Sequence, residues 1–484
     1  MHTRFATDRL RDVREIDEWA AEVDVVVVGL GSAGACAAIE AQRAGARVLA
    51  LEGEAEAGGV SARSSGQLYL GGGTRLQQAC GFQDSPAEMA AYMKLACGPG
   101  ADAEKIELFA AQSVSHYDWL VGLGVPFKAS FVPTTEATNP PDEDGLTYTG
   151  SEPAWPFCEA ARPAPRGHNV RHAGDSGFVL MRVLLESVER EGVEVRTQTR
   201  IERLAIGDGG RVVGVGARRG GQEEWIGARR GVVLATGGFG FNREMLARHA
   251  PTLLDCHPVG LESEDGLGIR LGMAAGGEAL RMGAASVMVP FSKPRSLVRG
   301  ILVNGRGERF INEDVYQAVH GDVFLNRQEG VVHLILDDTT FSEPQLPFPL
   351  AAEEGTPEAL EAALGLPPRS LVETLRRWNE GAERGEDPLF RKGAEWITPL
   401  QTPPFRALDL GLGAFPYPFF TLGGLRTDLS GRVQTPEGET IEGLYAAGRA
   451  TSGMPAQGYN SGMSLADCTF FGRRAGRSAA AVED

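Results

Sequence analysis

The stretch from Asp24 to Glu52, DVVVVGLGSAGACAAIEAQRAGARVLALE, constrains the fold more than any other part of the chain. Val23 and the run Val25 to Val28 read as a buried parallel strand, since such strands are apolar on both faces. The strand opens directly into Gly29-x-Gly31-x-x-Gly34 and then into an alanine-rich helix. A second apolar strand, Ala46 to Leu51, ends at Glu52, eighteen residues past Gly34. Each part has a chemical reason. The first glycine makes a tight turn, the second lets backbone approach a pyrophosphate, and the third lets helix and strand pack closely. The helix start at Ser32 and Ala33 presents amides to phosphate. Glu52 is placed to accept hydrogen bonds from a ribose, which favours an adenosine without a 2′-phosphate. The expected fold class is therefore α/β with a Rossmann-like dinucleotide-binding domain, and NAD and FAD both remain open at this point.

A second glycine string, Gly214-x-Gly216 followed by Gly220, has the wrong spacing and lies in RVVGVGARRGGQEEW, which predicts a hairpin. One dinucleotide site is visible, which argues against an enzyme holding FAD and NAD together. The 484 residues are enough for two or three domains. A net charge of −17 argues against nucleic acid and against an anionic membrane surface. No apolar run approaches the roughly 18 residues of a spanning helix, so an integral membrane protein is not expected. The first 22 residues are charged, read as helical over RLRDVREIDEWAAEV, and lack the apolar core of a signal peptide; a cytoplasmic location is expected. Cysteines at 36, 80, 97, 158, 256 and 468 form no C-x-x-C pair, and the eight histidines show no metal spacing. Neither a metal nor a redox disulfide is expected.

Three separated blocks read as one nucleotide domain. The first continues from the glycine turn into GGVSARSSG. The second runs from a helix at Phe178–Glu191 through a strand and meander to GVVLATGG. The third is GGL, then EGLYAAG, then a closing helix from about Gly462 to Ala480. Between the last two lies a stretch with a charged strand pair, Gly300–Asn312, and a helical run, Pro357–Gly381. The expected division is a nucleotide domain over 1–288 and 404–484, with an inserted α+β cap over 289–403. Ser130–His168, rich in Pro, Gly and acids, reads as a long irregular excursion, and such segments are usually functional.

Lined up, the motifs GLGSAG…LALE, GGVSARSSG, ATGGFG, DGLGIRLGMAAGG, RGERFINED, LGGL and GLYAAGRATSG resemble the FAD-dependent fumarate reductase/3-ketosteroid dehydrogenase superfamily over nearly the whole length. The resemblance implies FAD rather than NAD and a glutathione-reductase-like nucleotide domain. It implies that Ile201 lies near the adenine and that Ala235, Thr236 and Gly237 pass the pyrophosphate. Gly59, Ser64, Ser65 and Gly66 would face the flavin. Gly448 and Arg449 would border the cofactor, and Met463, Ser464 and Leu465 would offer amides to the flavin's pyrimidine edge. Some relatives hold flavin through a histidine of the flavin loop. Here no histidine lies between His2 and His116, so noncovalent FAD is expected.

The departures from the dicarboxylate branch carry more information. Fumarate reductases resemble G-K-R-F-V-N-E-x-x-T-R-D in the cap, whereas this chain has Arg309-Phe-Ile-Asn-Glu313-Asp-Val-Tyr316-Gln317. Their H-Y-T-M-G-G corresponds to Phe419-Phe-Thr-Leu-Gly-Gly424, and their A-N-R-L-G-G-N to Gln457-Gly-Tyr459-Asn-Ser461-Gly462. Groups that would clamp a dianion have become Tyr, Gln and Phe. SGMPAQGYNSGMSLADCTFFGRRAG instead resembles the C-terminal motif of 3-ketosteroid Δ4-(5α)-dehydrogenases, with Tyr459 and Ser461 on that family's Tyr and Ser, and Tyr316 on its cap tyrosine. The implied reaction introduces a double bond next to a cyclic ketone. It needs a polarised carbonyl, for which Tyr459 is a suitable donor, and a route for the α-proton, for which Tyr316 is the natural base or relay with Ser461 beside it, although the roles of the three can be permuted without violating any spacing in the sequence. Tyr148 and Trp155 are candidates for pocket lining or packing; Arg473 and Arg474 read as surface residues of the last helix. Alternatives are the same reaction on a smaller cyclohexanone, an enone or fumarate-type reductase, and a non-catalytic flavin protein. The electron acceptor is left open among a quinone, an electron-transfer protein and oxygen.

Overall fold

Valines at 25–28 are fully or almost fully buried, and the strand that they form, Ala21–Val28, sits at the centre of the main sheet. The computed structural model describes residues 9–132, 145–172, 174–328 and 330–481. Among these, nine strands make the main sheet. Its path runs Leu10–Asp12, Thr199–Ile206, Val212–Arg219, Gln222–Leu234, Ala21–Val28, Val48–Leu51 and Glu194–Arg196, with Thr440–Ala446 joined to Gln222–Leu234 and Arg432–Gln434 joined to Thr440–Ala446. The central pairs are parallel and in register, so that Val28 lies beside Leu51 and Leu234, and Leu234 beside Ala446. Their carboxyl ends therefore fall on one edge. That edge is where an open α/β sheet binds its ligand.

Helices Ser32–Arg43 and Met463–Ala480 pack against each other on the sheet, small side to small side. A Cβ at Gly472 would lie 2.4 Å from the Ala33 carbonyl oxygen, and one at Gly476 would lie 2.0 Å from that of Ala37. The glycine string at 214–220 forms the expected hairpin, turning at Gly220 and Gly221, both left-handed.

Three expectations need correction. The N-terminal segment is not helical. Leu10–Asp12 pairs in parallel with Leu204–Ile206, followed by one tight turn at Val13–Glu15, because a sheet edge offers ladder bonds that outweigh weak helix propensity. The excursion is not irregular over its described part: Phe131–Val132, Leu146–Thr147 and Gly167–Asn169 form a small sheet with Gln67–Tyr69, just after the flavin-loop motif. The charged stretch Gly300–Asn312 supplies one strand, Ile301–Asn304, and only a single bridge, Val303 to Arg309.

The strand Ile301–Asn304 pairs with Val332–Leu336, and the antiparallel sheet continues through Phe405–Asp409 to Leu350–Glu354. Helices Pro357–Ala363 and Ser370–Ala382 cover it, enclosing a second apolar core that includes Ile301, Trp378 and Ala407. The sheet thus extends to Asp409, past the expected end of the insertion at 403. Behind its first turn, Arg309 is paired with Glu313 at 2.7 Å and with Asp387 at 2.9 Å, and Lys392 with Glu313 at 2.9 Å. All four side chains are shielded from water, and together they fix the loop that ends at Tyr316.

Candidate active site

The carboxyl ends of the central strands open into a groove of about 940 Å³, including its solvent-facing mouth. Gly29, Gly31, Ser32, Ala33, Glu52 and Gly59 line one side, and Ile201, Ala235, Thr236, Gly237, Gly448 and Arg449 line the other. Gly29 is left-handed (φ +91°), and a Cβ there would lie 2.5 Å from the Ala235 carbonyl oxygen. Gly34 lies behind the groove wall as a packing glycine; its Cβ would be 1.8 Å from the Gly29 oxygen. Glu52 uses one carboxylate oxygen to accept the Leu30 amide at 2.8 Å and the other to accept the Glu54 amide at 3.0 Å. It therefore shapes the turn as well as facing the groove.

These residues fit a pyrophosphate-bridged dinucleotide. The helix Ser32–Arg43 begins at Gly31; its Ser32 amide donates to Ser61 Oγ at 3.1 Å, and the Ala33 and Gly34 amides of its first turn are left for a phosphate. A Cβ at Gly31 would touch only Ser61 Oγ, at 3.6 Å, leaving room for a phosphate to approach. Across the groove, Thr236 Oγ1 is buried without a hydrogen-bond partner.

Arg449 is ion-paired with Glu264, whose Oε1 also accepts the Gly238 amide at 3.3 Å. Glu264 was not identified from the sequence, although it immediately precedes the motif DGLGIRLGMAAGG. Arg449 also lies over the Phe420 ring, 5.3 Å from its centre, and Phe420 packs edge-on against Tyr459 at 5.1 Å. The groove is thereby connected to the reaction end. Phe419, the position singled out by the sequence, faces the core instead, since successive residues of a strand point to opposite sides.

Tyr316, Tyr459 and Ser461 come together at this end, from two segments far apart in the chain. Tyr316 precedes the helix Gln317–Arg327, and its hydroxyl contacts Ser461 and Gln317. Tyr459 Oη accepts the Ser464 amide at 3.2 Å, in the first turn of the helix Met463–Ala480. Burial pushes both phenols above the usual tyrosine range; the neighbouring phenol of Tyr316 adds to the rise at Tyr459, and contacts with Gln317 and Ser461 oppose it at Tyr316. Both hydroxyls are therefore protonated at neutral pH.

The expected flavin contacts are placed unevenly. Ser64, Ser65 and Gly66 continue from the groove-lining Gly59–Ser61, but they bond to the start of the helix Gly177–Arg190: Ser64 and Ser65 carbonyls accept the Gly177 and Ser176 amides. Met463 packs its sulfur on Cys97 Sγ at 3.6 Å, and Leu465 is buried. The Ser464 amide, expected to meet the flavin edge, donates to Tyr459 instead. Left-handed Gly462 (φ +84°) folds the chain so that the phenol lies over the helix start.

Tyr148 packs edge-on against Phe131, and the Trp155 indole donates to Glu159 while Arg391 covers its ring; both are packing residues here. Arg473 and Arg474 are not simply surface residues. Arg473 lies over Trp119 and bonds His116, and Arg474 donates to the Leu429 carbonyl. No cluster of potential metal ligands occurs among the described residues.

Residues 24–465 match the family described as FAD binding domain. The chain belongs to this family. It is an FAD-dependent oxidoreductase. The flavoprotein is similar to the solved 3-ketosteroid-Δ4-(5α)-dehydrogenase of Rhodococcus jostii RHA1, crystallised with 4-androstene-3,17-dione, at 45% identity and a TM-score of 0.92, covering 98% of this chain and 100% of that one. It is 31% identical to the 3-oxo-5-alpha-steroid 4-dehydrogenase of Comamonas testosteroni, over 90% of this chain and 94% of the relative. It is 29% identical to the 4-oxocyclohexanecarboxylate 2-dehydrogenase of Sinomonas cyclohexanicum, over 94% and 92%. No described helix of the flavoprotein is long and apolar enough to cross a membrane.

Proposed function

We propose that this flavoprotein introduces a carbon–carbon double bond next to the carbonyl of a cyclic ketone, with a 5α-reduced 3-ketosteroid as the first candidate and the 4-ene as its product. The observation that carries the reading is the meeting of Tyr316, Tyr459 and Ser461 at the start of the helix Met463–Ala480, at the end of a groove that fits FAD. Bound FAD, held noncovalently because its loop carries no histidine, supplies the hydride acceptor for the β-carbon.

Tyr459 would hold the carbonyl. With the Ser464 amide on its oxygen, the phenol proton is directed away from the helix and strengthened as a donor. One such preorganised donor contributes about 3–4 kcal/mol where enolate charge develops. Ser461 and Tyr316, in hydroxyl contact, form the path by which the α-proton leaves. Neither phenol is a strong base at neutral pH, so proton transfer has to be concerted along that pair.

Purified protein with an artificial electron acceptor, tested on a panel of saturated cyclic ketones, checks the reading. The expected result is the 4-ene from a 5α-3-ketosteroid; a 1-ene with the 4,5 bond still saturated would overturn the regiochemistry. The match to a dehydrogenase of 4-oxocyclohexanecarboxylate favours a second reading, the same reaction on a substituted cyclohexanone, and faster turnover of that ring in the panel would select it. Fumarate reduction at about 1 per second or more would contradict both readings.

A further inference from the structure

Glu152 lies in the turn Thr149–Glu152 of the excursion, and its carboxylate is fully buried. The buried cation that faces it, Arg166, is already held by both oxygens of Asp84, at 2.7 and 2.9 Å. Glu152 is satisfied instead by its own turn. It accepts the Thr149 hydroxyl at 2.6 Å, the Gly150 amide at 2.9 Å and the Thr149 amide at 3.2 Å.

That turn touches both halves of the reaction end. Ser151 Oγ accepts the Tyr316 amide at 2.9 Å. Thr149 Oγ1, while donating to Glu152, accepts Asn460 Nδ2 at 2.8 Å, and Asn460 separates Tyr459 from Ser461 in the chain. Asn460 also donates to Tyr92 Oη at 2.6 Å. Gly150 is wedged between them: a Cβ there would lie 2.7 Å from Tyr316 Cβ and 2.7 Å from Asn460 Oδ1.

We propose that Glu152 is a positioning residue for the reaction, locking through this turn the cap loop that carries Tyr316 to the segment that carries Tyr459 and Ser461. The inference rests on the dehydrogenase reading above. Both carboxylate oxygens accept in this turn, which an amide with a single acceptor oxygen cannot reproduce, so Glu152→Gln perturbs the turn as well as the charge. Tyr69, Tyr92, Tyr148 and Tyr316, together with Arg166, sense the charge at Glu152, and Asp84 lies behind Arg166. Burial is the main reason why the Tyr316 phenol holds its proton, and the negative charge at Glu152 adds to it. Burial pushes the Glu152 carboxyl above the usual glutamate range, while the Thr149 hydroxyl and Arg166 pull it back. Once ionised, Glu152 helps to keep Tyr316 a hydroxyl that can pass a proton on.

The test uses full-length holoenzyme carrying Glu152→Gln or Thr149→Val, with FAD content and circular dichroism as folding checks. Thr149→Val cuts the link to Asn460 and leaves the charge. It is expected to lower kcat roughly tenfold or more, since small misplacements at a reacting centre are costly, with KM and the pH profile little changed. Glu152→Gln is expected to lower kcat similarly and to displace the alkaline limb of the pH profile to lower pH. Ultraviolet titration of the phenols is expected to show a displacement in Glu152→Gln that becomes smaller when Tyr316→Phe is added, the remainder coming from Tyr69, Tyr92 and Tyr148. Wild-type kcat in both variants overturns the inference, and in Glu152→Gln an equal loss at every pH with no change in phenol titration overturns the role of its charge. If Glu152→Gln loses FAD, Thr149→Val still decides the positioning claim through its kcat and KM. If the wild-type protein turns over no ketone, the dehydrogenase reading fails, while the phenol titration still tests the coupling of Glu152 to Tyr316.

Discussion

The dinucleotide groove and the reaction end are neighbours, yet they are built differently. The groove is mostly backbone: Gly29, Gly31 and Gly237 contribute turns and amides, and Gly34 contributes the absence of a side chain. The reaction end is made of side chains from segments that begin far apart, at Thr149, Tyr316 and Tyr459. Arg449 and Phe420 bridge the two. A backbone site fails as a unit when one atom is added. A side-chain site can lose a single hydroxyl and leave the cofactor in place.

The largest effect is expected from Gly34→Val. Its added carbons would overlap the Gly29 carbonyl, separating the helix from the strand, and neither bound flavin nor a native melting transition should survive. Normal flavin content, read by visible absorbance, would break the contrast. Next comes Lys392→Met, which leaves Glu313 with an unbalanced buried charge and should cost about 3 kcal/mol or more in chemical denaturation. The same network predicts an acid limit. Burial alone would raise the Glu313 carboxyl, but Arg309 and Lys392 hold it below the usual glutamate range. The stability that it contributes is present above the unfolded value of roughly 4.3 and is lost as pH falls through the lower folded value. Acid should therefore loosen the cap, read as protease sensitivity at 300–409; indifference of the cap to acid would remove this argument.

Tyr459→Phe should reduce ketone turnover about a hundredfold while FAD stays bound, as for one lost oxyanion donor. A variant that loses flavin instead would mean that the two regions are not separable. Tyr316→Phe should have the smallest of these effects. Its residual rate should rise with pH, as hydroxide substitutes for the missing proton path, whereas a flat profile would reduce Tyr316 to a packing residue.

How far each region was legible follows from the same difference. Gly29 to Glu52 form a local code, because strand, turn, helix and acid are consecutive and each obeys a steric or hydrogen-bonding rule. Glu264 was missed since it lies in the groove lining only in the folded chain, where its partner Arg449 comes 185 residues later. The excursion was misread because its strands are two or three residues long and pair with one another and with Gln67–Tyr69 across long loops. The N-terminal segment was misread for a related reason: its ladder partner, Thr199–Ile206, lies far along the chain.

The sequence by itself determined the α/β class and a dinucleotide site, because local sterics and fixed spacing suffice for these, and its resemblance to a family singled out FAD and Tyr316, Tyr459 and Ser461. Only the tertiary structure decided that Phe420 rather than Phe419 meets Tyr459, that the Ser464 amide turns to that phenol, and that a buried carboxylate at Glu152 ties two distant segments together. These depend on which side of a strand faces inward, on how the chain turns at Gly462, and, for Glu152, on contacts to Tyr316 and Asn460 that lie far along the chain. Such contacts form only when the chain has folded.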